Sequence, residues 1–367
     1  QGPIISELEE EFKRFVGCKY AVAVSSCTAG LHISCLAAGL KNSDIALTSN
    51  ISFVASANCA SFIGSKIEFL DIDINTINIC LDKLEELLSN GKKIDVLIPV
   101  HFAGYPFDIK RLFNLSKKYN FKIIEDAAHA LGSDYEDGNK VGSSKYSAAT
   151  VFSLHPVKTI TAGEGGIITT NDKKLYRRLL KLRSHGINKL DDKFINVENA
   201  YTGSERNFWY YEMQTLGFHY RITDIQCALA LSQLKKLPKF INKREELAKY
   251  YRKRLEGNSF ISPAQIKYER TNANHLFPVR IKFKSLGIYK NELMNYLKSF
   301  KIFTQVHYIP ITMHPYYKNN KFHSNDNKCF EYYNEALSLP LFYDMDTNDI
   351  DYVLKKIDEF IELKKLN

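Results

Sequence analysis

In the first 170 positions, apolar residues occur in two patterns that alternate along the chain: helical spacing and short continuous runs. One helical face near the start carries Ile5, Leu8, Phe12 and Phe15. We expect this helix to begin at a capping box on Ser6 and to end at Gly17. Beyond it, short apolar runs at 21–24, 45–48, 67–70, 96–100 and 121–125 alternate with helical patterns at 29–40, 53–63, 81–89 and 109–119. Short strands separated by helices indicate parallel crossovers, so the sequence predicts an α/β domain with a mainly parallel sheet.

The pattern changes after residue 170. It predicts helices at 173–183, 223–237, 243–255, 290–299 and 348–366, and strands at 274–283 and 303–307. The mixture of a few strands with long helices is typical of a smaller α+β unit. We therefore expect a large domain over residues 1–240 and a small C-terminal domain over residues 241–367.

Composition narrows the class of protein. Of the 367 residues, 45% are apolar and 25% are charged, and charge interrupts every apolar run before the ~18–20 residues that a membrane-spanning helix needs. Aromatic residues make up 13%, which excludes a disordered chain. The net charge of +9 suits phosphate-bearing small ligands, whereas nucleic-acid binding would need a clustered basic stripe or a known module, and the sequence has neither.

Cysteine and histidine spacing bears on redox chemistry and metals. The seven cysteines never form Cys-x-x-Cys and lie mostly in apolar segments, which predicts reduced thiols and a cytoplasmic location. The ten histidines show no His-Glu-x-x-His pattern, so we expect no metal site. The chain opens at Gln1 without a signal-like apolar region, and we expect a protein that is not secreted but lacks an N-terminal piece.

Two segments carry candidate chemistry. The run Ile123–His129 is a buried-type strand that delivers Asp126 at its carboxyl end, the edge where open parallel sheets bind ligands. The apolar run at 150–158 contains Ser153 and ends in Lys158, and the flexible segment Gly163–Gly166 follows it. Alone, an aspartate at a strand end reads as a cap and a loop lysine as a surface group. Together they fit the two ends of a pyridine aldehyde.

The reasoning rests on protonation. Lysine condenses with an aldehyde only as the neutral amine, so the site must lower the pKa of Lys158 by burial or by nearby positive charge. A protonated ring nitrogen needs a fixed carboxylate, which Asp126 would supply. The phosphate of such a coenzyme needs backbone donors, and Ser25–Ala29 is a strand-to-helix turn of small residues at a helix N-terminus.

Six segments, spread over the chain, resemble the DegT/DnrJ/EryC1/StrS sugar aminotransferase family: 25–31, 52–58, 101–104, 125–132, 152–166 and 220–232. The resemblance implies the aspartate aminotransferase-like fold (fold type I), pyridoxal 5'-phosphate (PLP) as coenzyme, and a homodimer with a shared active site. Segments 209–214, the region of Cys59 and 305–310 are most similar to family members of the pseudaminic-acid pathway.

Roles follow from the resemblance residue by residue. Lys158 and Asp126 would be catalytic, Lys158 as the lysine that binds the coenzyme aldehyde and moves the proton. The cofactor-binding set would add Cys27, Thr28, Ala29, Phe53, His129, Ser153 and His219. Phe53 would stack on the ring, with a plain core phenylalanine as the alternative, and His129 would lie beside the ring hydroxyl unless it is an ordinary buried histidine.

One position departs from the family pattern. His219 stands where the family usually has an asparagine that reaches the phosphate of the partner subunit. Imidazole can donate the same hydrogen bond, so the role is expected to survive with a dependence on pH. His307, Tyr308 and Tyr316 are the candidate sugar and phosphate contacts, and surface loop residues are their alternative reading.

The implied reaction transfers an amino group from L-glutamate to C4 of a UDP-linked 4-keto-6-deoxy-N-acetylhexosamine. The same chemistry on a bacillosamine-type UDP sugar or a GDP-linked sugar is the alternative. Lys158 argues against the family's dehydratases, which carry histidine at that position, and against a non-catalytic regulatory protein on the same fold. A nicotinamide-dependent oxidoreductase would need Gly-x-Gly-x-x-Gly after the first strand, and 25–30 is no such motif.

Overall fold

The computed structural model describes residues 2–188, 193–266 and 270–365. The helices are α1 (Pro3–Val16), α2 (Cys27–Ala38), α3 (Ala55–Ser61), α4 (Leu81–Ser89), α5 (Ile109–Tyr119), α6 (Lys173–Arg183), α7 (Val197–Ala200), α8 (Asp224–Arg254), α9 (Phe283–Leu286), α10 (Lys290–Ser299), α11 (Lys328–Glu335) and α12 (Thr347–Lys365). The strands are β1 (Tyr20–Val24), β2 (Ile45–Ser49), β3 (Lys66–Leu70), β4 (Val96–Ile98), β5 (Lys122–Asp126), β6 (Ala149–Ser153), β7 (Gly166–Thr170), β8 (Ile187–Asn188), β9 (Tyr201–Thr202), β10 (Glu205–Arg206), β11 (Glu212–Met213), β12 (Ile261–Pro263), β13 (Phe277–Ile281), β14 (Phe322–His323) and β15 (Ala336–Leu339).

A large mixed sheet forms the centre of the molecule, with strand order β1-β7-β6-β5-β4-β2-β3-β14. The pairs from β6 through β14 are parallel, whereas β7 runs antiparallel to both β1 and β6. The predicted α/β class with a mainly parallel sheet is confirmed. Because β1, β2, β4, β5 and β6 point the same way, their carboxyl ends meet at one edge.

The sheet is covered on both faces because its strands alternate. Ala21 and Ala23 of β1 pack into the core formed with α1, α4, α5 and α8, whereas Val22 and Val24 pack into the core formed with α2, α3 and α6. Parallel strands buried on both faces read as continuous apolar runs, which is why these strands were visible in the sequence.

The C-terminal part of the chain has a core of its own. An antiparallel sheet, β12-β13-β15, packs with α10 and α12 over apolar residues that begin at Leu247. The same part also returns β14 to the edge of the large sheet, beside β3. The domain boundary predicted near residue 240 falls inside α8, and it stays a prediction.

Three sequence expectations need correction. The helices predicted at 223–237 and 243–255 are one helix, α8, which continues through Pro238 because its buried stripe, including Leu234, Leu237 and Ile241, is unbroken. A proline removes one helical hydrogen bond, and packing outweighs that loss here. Helix α1 begins at Pro3 and not at Ser6, since proline suits the first helical position. Residues 303–307 form no strand, only a bridge between Gln305 and Ser338.

Candidate active site

A cavity of about 270 Å³ lies at the edge where the parallel strands end. The sequence-predicted residues that line it are Cys27, Thr28, Phe53, Asp126, His129, Ser153, Lys158 and Tyr308. They come from separate segments that converge because each follows the carboxyl end of a strand or lies in the segment before α11. A larger groove, of about 1110 Å³, runs beside α8 and contains neither Lys158 nor Asp126. The candidate chemistry therefore belongs to the smaller cavity.

The turn between β1 and α2 forms one end of the cavity. Ser26 caps α2, its side chain accepting from the Ala29 N–H at 3.1 Å. The first N–H groups of a helix have no partner inside it, so those of Cys27 and Thr28 are available to an anion. The Ala29 N–H already serves the cap, and its predicted share in phosphate binding stays a prediction.

Gly166 of β7 lies directly against this turn. A Cβ at Gly166 would come within 2.7 Å of the Ser26 carbonyl carbon and oxygen and within 2.8 Å of the Cys27 nitrogen. Only glycine permits that approach, because those neighbours are backbone atoms. On the other side, the Ser25 N–H donates to the Tyr220 carbonyl at 2.9 Å. The turn is thus fixed from two directions.

Lys158 and Asp126 share the cavity wall and interact electrostatically. Burial lowers the pKa of Lys158, and the nearby Cys27 and Asp126 oppose that shift. A lowered pKa increases the fraction of neutral amine, which is the form that attacks an aldehyde. Asp126 is only 4% exposed and ends β5 at the cavity edge. The pair that the sequence singled out is brought together.

Phe53 is not a core residue. Its side chain is 58% exposed at the mouth of the cavity, and its ring centroid lies 6.2 Å from that of Tyr308. An aromatic face open to a cavity is free to stack on a planar ligand. The location favours the stacking role over the structural alternative.

Buried imidazoles form the wall beyond Lys158. His129 Nε2 lies 3.1 Å from the Tyr308 hydroxyl, and the His129 ring lies 4.6 Å from that of His275. Burial, and then the charge of Lys158, lowers the pKa of His129 well below its usual value, so the ring is neutral. Tyr308, assigned to the substrate by sequence, is thus tied to a coenzyme-side residue.

His307 lies just behind the cavity. Its Nδ1 is 2.8 Å from the Ser338 hydroxyl, and its carbonyl accepts from the Tyr332 hydroxyl at 2.7 Å. Burial and the charge of Lys158 lower the pKa of His307 to about 4, which keeps it neutral near pH 7. A neutral imidazole offers hydrogen bonds to sugar hydroxyls but no charge to a phosphate.

Besides Ala29 and His307, two further predicted residues do not line the cavity of their own chain. His219 is exposed on a segment that bridges to Ser184, with its ring 5.4 Å from that of His185. Tyr316 is 78% exposed and contacts the ring of Tyr317. Their predicted roles stay predictions.

Sequence reasoning missed the residues that hold Asp126. The Ser56 hydroxyl donates to Asp126 Oδ2 at 2.6 Å, and the Ala128 N–H donates to Oδ1 at 3.0 Å. Ser56 in turn contacts the Ser52 hydroxyl at 2.6 Å. The spacing of four residues between the serines was the available signal, since it places both on one side of a helical turn.

Glu125, beside Asp126 in β5, points to the opposite face of the sheet. Its Oε2 lies 2.8 Å from His101 Nε2 and accepts from the Tyr135 hydroxyl at 2.6 Å, and its Oε1 accepts from Thr150 at 2.8 Å. Burial acts to raise the pKa of Glu125, but its hydrogen bonds, first that of His101, lower it overall. The period-two alternation of a strand predicts this opposition.

The residues present fit a phosphorylated pyridine aldehyde. Helix N–H groups and the hydroxyls of Thr28 and Ser153 suit the phosphate, Asp126 suits the ring nitrogen, and Lys158 suits the aldehyde. Within residues 2–188, 193–266 and 270–365, no cluster of three His, Cys, Asp or Glu side chains could hold a metal ion. No helix in these ranges is both long and apolar enough to cross a bilayer.

Comparisons with known proteins agree with this geometry. The sequence model of the DegT/DnrJ/EryC1/StrS aminotransferase family matches residues 1–358. The UDP-4-amino-4,6-dideoxy-N-acetyl-beta-L-altrosamine transaminase of Campylobacter jejuni is 36% identical over 365 residues, which are 99% of this chain and 91% of that protein. PseC of Helicobacter pylori, an aminotransferase involved in pseudoaminic acid biosynthesis, superposes with a TM-score of 0.86 at 30% identity, covering 99% of this chain and 92% of that one. The PLP form of Spr1654 from Streptococcus pneumoniae gives a TM-score of 0.84 at 27% identity, with coverage of 99% and 92%.

Proposed function

The chain belongs to the DegT/DnrJ/EryC1/StrS aminotransferase family, and we propose that it transfers an amino group from L-glutamate to C4 of a UDP-linked 4-keto-6-deoxy-N-acetylhexosamine. Membership makes it a PLP-dependent sugar aminotransferase. The observation that carries the proposed site is the convergence of Lys158, Asp126 and the Cys27–Thr28 turn on one cavity.

The residues of this chain would divide the work as follows. Bound PLP supplies an electron sink for the carbon that exchanges its proton. Lys158, with its lowered pKa, provides the neutral amine that takes and returns that proton. Asp126, at the end of β5, would place its carboxylate at the edge where the ring nitrogen would lie. Phe53, whose ring is exposed to the cavity, would stack on one face of the coenzyme ring.

Cys27, Thr28 and Ser153 would anchor the phosphate. The N-terminus of α2 contributes both N–H donors and the positive end of the helix dipole, an interaction worth ~0.3–1 kcal/mol for an exposed charge. The phosphate would be bound at one end of the ring and Lys158 would attach to the aldehyde at the other. The ring nitrogen would then lie in a fixed position beside Asp126. This division leaves the side of His307 for the sugar, whereas Tyr308 contacts His129.

Two observations support the proposed sugar: similarity to a relative that is named for its amino sugar, and the neutral histidines at and behind the cavity wall. The Campylobacter jejuni relative is named for a UDP-linked amino sugar, and the similarity extends over nearly the whole of both chains. His129 and His307 are neutral, which suits an uncharged hexose ring. A bacillosamine-type UDP sugar or a GDP-linked sugar is the alternative substrate, and a PLP-binding regulatory protein is the alternative class.

We also propose that two copies of the chain share the site. Exposed apolar side chains cluster in the segment 195–216, with Phe208 84% exposed and Trp209 63% exposed, and Val157 beside the cavity is 64% exposed. Apolar surface of this extent in a folded chain is typical of an interface. In such a dimer, His219 would serve the phosphate of the partner subunit.

Product analysis tests the proposed function. Purified protein with PLP is incubated with L-glutamate and, in separate reactions, with three ketosugars. They are the UDP-linked 4-keto-6-deoxy-N-acetylhexosamine whose amination gives UDP-4-amino-4,6-dideoxy-N-acetyl-beta-L-altrosamine, a bacillosamine-type UDP ketosugar and a GDP-linked ketosugar. We expect the first ketosugar to give 2-oxoglutarate and a 4-amino sugar, and the other two to give these products more slowly or not at all. Lys158→Ala should abolish both products and the visible absorbance of bound PLP, whereas Lys93→Ala, an exposed lysine, should change neither. PLP absorbance without turnover on any ketosugar would favour the regulatory alternative.

A further inference from the structure

The carboxylate of Asp126 is held by a short chain of buried hydroxyl groups. Ser52, Ser56 and Asp126 follow one another at 2.6 Å per contact, and Ser56 is 0% exposed. Asp126 itself is nearly buried, so water contributes little to stabilising its charge. The Ser56 hydroxyl and the Ala128 N–H take over that role, one at each oxygen.

The hydrogen bond at the end of this series has a determined direction. A carboxylate only accepts hydrogen bonds, so Ser56 donates to Asp126. The Ser52 hydroxyl has one proton and two acceptors within reach, the Ser56 oxygen at 2.6 Å and the Phe53 carbonyl at 3.0 Å. When Ser52 donates to Ser56, the two hydroxyls act in series and strengthen the bond to Asp126.

The chain also couples two sides of the coenzyme cavity. Ser56 belongs to α3, and its N–H donates to the Phe53 carbonyl at 3.2 Å. The segment that presents the Phe53 ring therefore also positions the carboxylate. A shift of α3 would move both groups together.

We infer that Ser56, backed by Ser52, is a positioning residue that orients the Asp126 carboxylate toward the ring nitrogen of PLP. The inference rests on the proposed function, since it assigns Asp126 to that nitrogen. Loss of the Ser56 hydroxyl leaves one carboxylate oxygen short of a charge-assisted donor, whose loss corresponds to about a ten- to hundredfold effect.

The experiment compares Ser56→Ala with Ser34→Ala as holoenzymes. Ser34 is a matched control because it is a fully buried serine on α2 whose hydroxyl has no partner among the described residues. The pH midpoint of the visible absorbance of bound PLP is titrated, and kcat and KM are measured with L-glutamate. We expect a higher midpoint in Ser56→Ala, because a less protonated ring lets the attached Lys158 nitrogen keep its proton to higher pH. We expect kcat to fall about tenfold or more, with a smaller change in KM.

Ser56→Thr keeps a hydroxyl and should restore the midpoint. If Ser56→Ala does not fold, Ser52→Ala replaces it, with a smaller shift in the same direction expected. A midpoint and kcat in Ser56→Ala, or in that case Ser52→Ala, equal to those of Ser34→Ala would overturn the inference. Failure of the proposed function would be distinct, because the wild-type protein would then show no turnover of any ketosugar.

Discussion

The Tyr308 hydroxyl lies 3.1 Å from Nε2 of His129. Burial raises the pKa of Tyr308, so its proton is retained near neutral pH. The two rings are nearly parallel, with an angle of 18° between them and 6.1 Å between centroids. A residue from the segment before α11 thereby orients a side chain that follows β5.

Removing that hydroxyl should affect the coenzyme before the sugar. In Tyr308→Phe we expect the dissociation constant of PLP to rise about two- to tenfold, the range for one neutral hydrogen bond. Equilibrium titration of the apoprotein with PLP measures it. Tyr289→Phe, at an exposed tyrosine outside the site, is the control and should bind PLP normally. A rise in KM for the sugar nucleotide with unchanged PLP binding would assign Tyr308 to the substrate instead.

Asp126→Asn should separate binding from turnover. The amide has the shape of the carboxylate but no charge, so PLP should still bind while its ring loses the partner for a protonated nitrogen. We expect kcat to fall by about 10²–10³-fold, the range for removing one preorganised electrostatic group. Steady-state kinetics and PLP absorbance measure the two effects. Asp344→Asn, on an exposed aspartate, should match the wild type, and an unchanged kcat in Asp126→Asn would refute the assignment.

Gly166→Ala should displace the phosphate turn. The new Cβ would overlap backbone atoms of Ser26 and Cys27, which cannot move independently of α2. We expect PLP affinity to fall at least tenfold and the unfolding free energy to fall by about 1–3 kcal/mol. Gly163→Ala is a useful contrast, because Gly163 has φ +79° with open space around it. That variant should lose stability but keep PLP affinity, and equal PLP affinity in both variants would contradict the account.

Mixing inactive chains tests whether His219 acts across a dimer. Lys158→Ala and His219→Ala chains, co-refolded in equal amounts, should recover about one quarter of wild-type activity, because half of randomly paired dimers contain one complete site. A mixture of Lys158→Ala with Asp126→Asn should recover nothing, since both residues belong to one chain's cavity. Recovery no greater than the sum of the unmixed His219 and Lys158 variants would place His219 outside the shared site.

Glu68 should make the fold sensitive to acid. Burial acts to raise the pKa of Glu68, but hydrogen bonds from Lys92, His323 and Lys66 lower it to about 2, from a usual 4.5. The folded state thus binds the proton more weakly than the unfolded state, and the stabilisation, present above about pH 4.5, is lost as the pH falls toward 2.

Denaturant unfolding at pH 7 and pH 3 measures this contribution. Between pH 7 and pH 3, the unfolding free energy of the wild type should fall further than that of Glu68→Gln. The difference should be on the order of 2 kcal/mol. Glu7→Gln, at an exposed carboxylate, is the control and should follow the wild type. Parallel losses in wild type and Glu68→Gln would show that Glu68 carries no such linkage.

The sequence was most informative where local composition alone determines the structure, as in buried strands and in turns of small residues. The strand that ends in Asp126 was visible because it is buried on both faces, and the segment of β6 before Ser153 was visible as an apolar run. The turn before α2 was visible because small residues follow an apolar run. The α8 helix was misjudged because local rules give Pro238 the weight of a break, while the apolar stripe that keeps the helix intact is a tertiary effect.

Residues that act through others left a weaker trace. Ser56 gained its role only when α3 brought its hydroxyl to Asp126 at the end of β5, a contact that local sequence does not encode. The hydrogen bond between Tyr308 and His129 joins positions that are 179 residues apart, and no local sequence pattern predicts it. The proposed role of His219 depends on the proposed dimer, in which the phosphate that it contacts would be bound by the partner subunit.

Consecutive carboxylates in β5 have opposite assignments, Glu125 to the scaffold and Asp126 to the cavity. Because neighbouring strand residues face opposite ways, a slip of one position would send the scaffold group into the coenzyme's place and bury the other without its donors. An insertion or deletion within this strand would therefore disrupt both groups at once, and a designer who redirects the enzyme to other sugars should keep β5 intact and vary the mouth of the cavity.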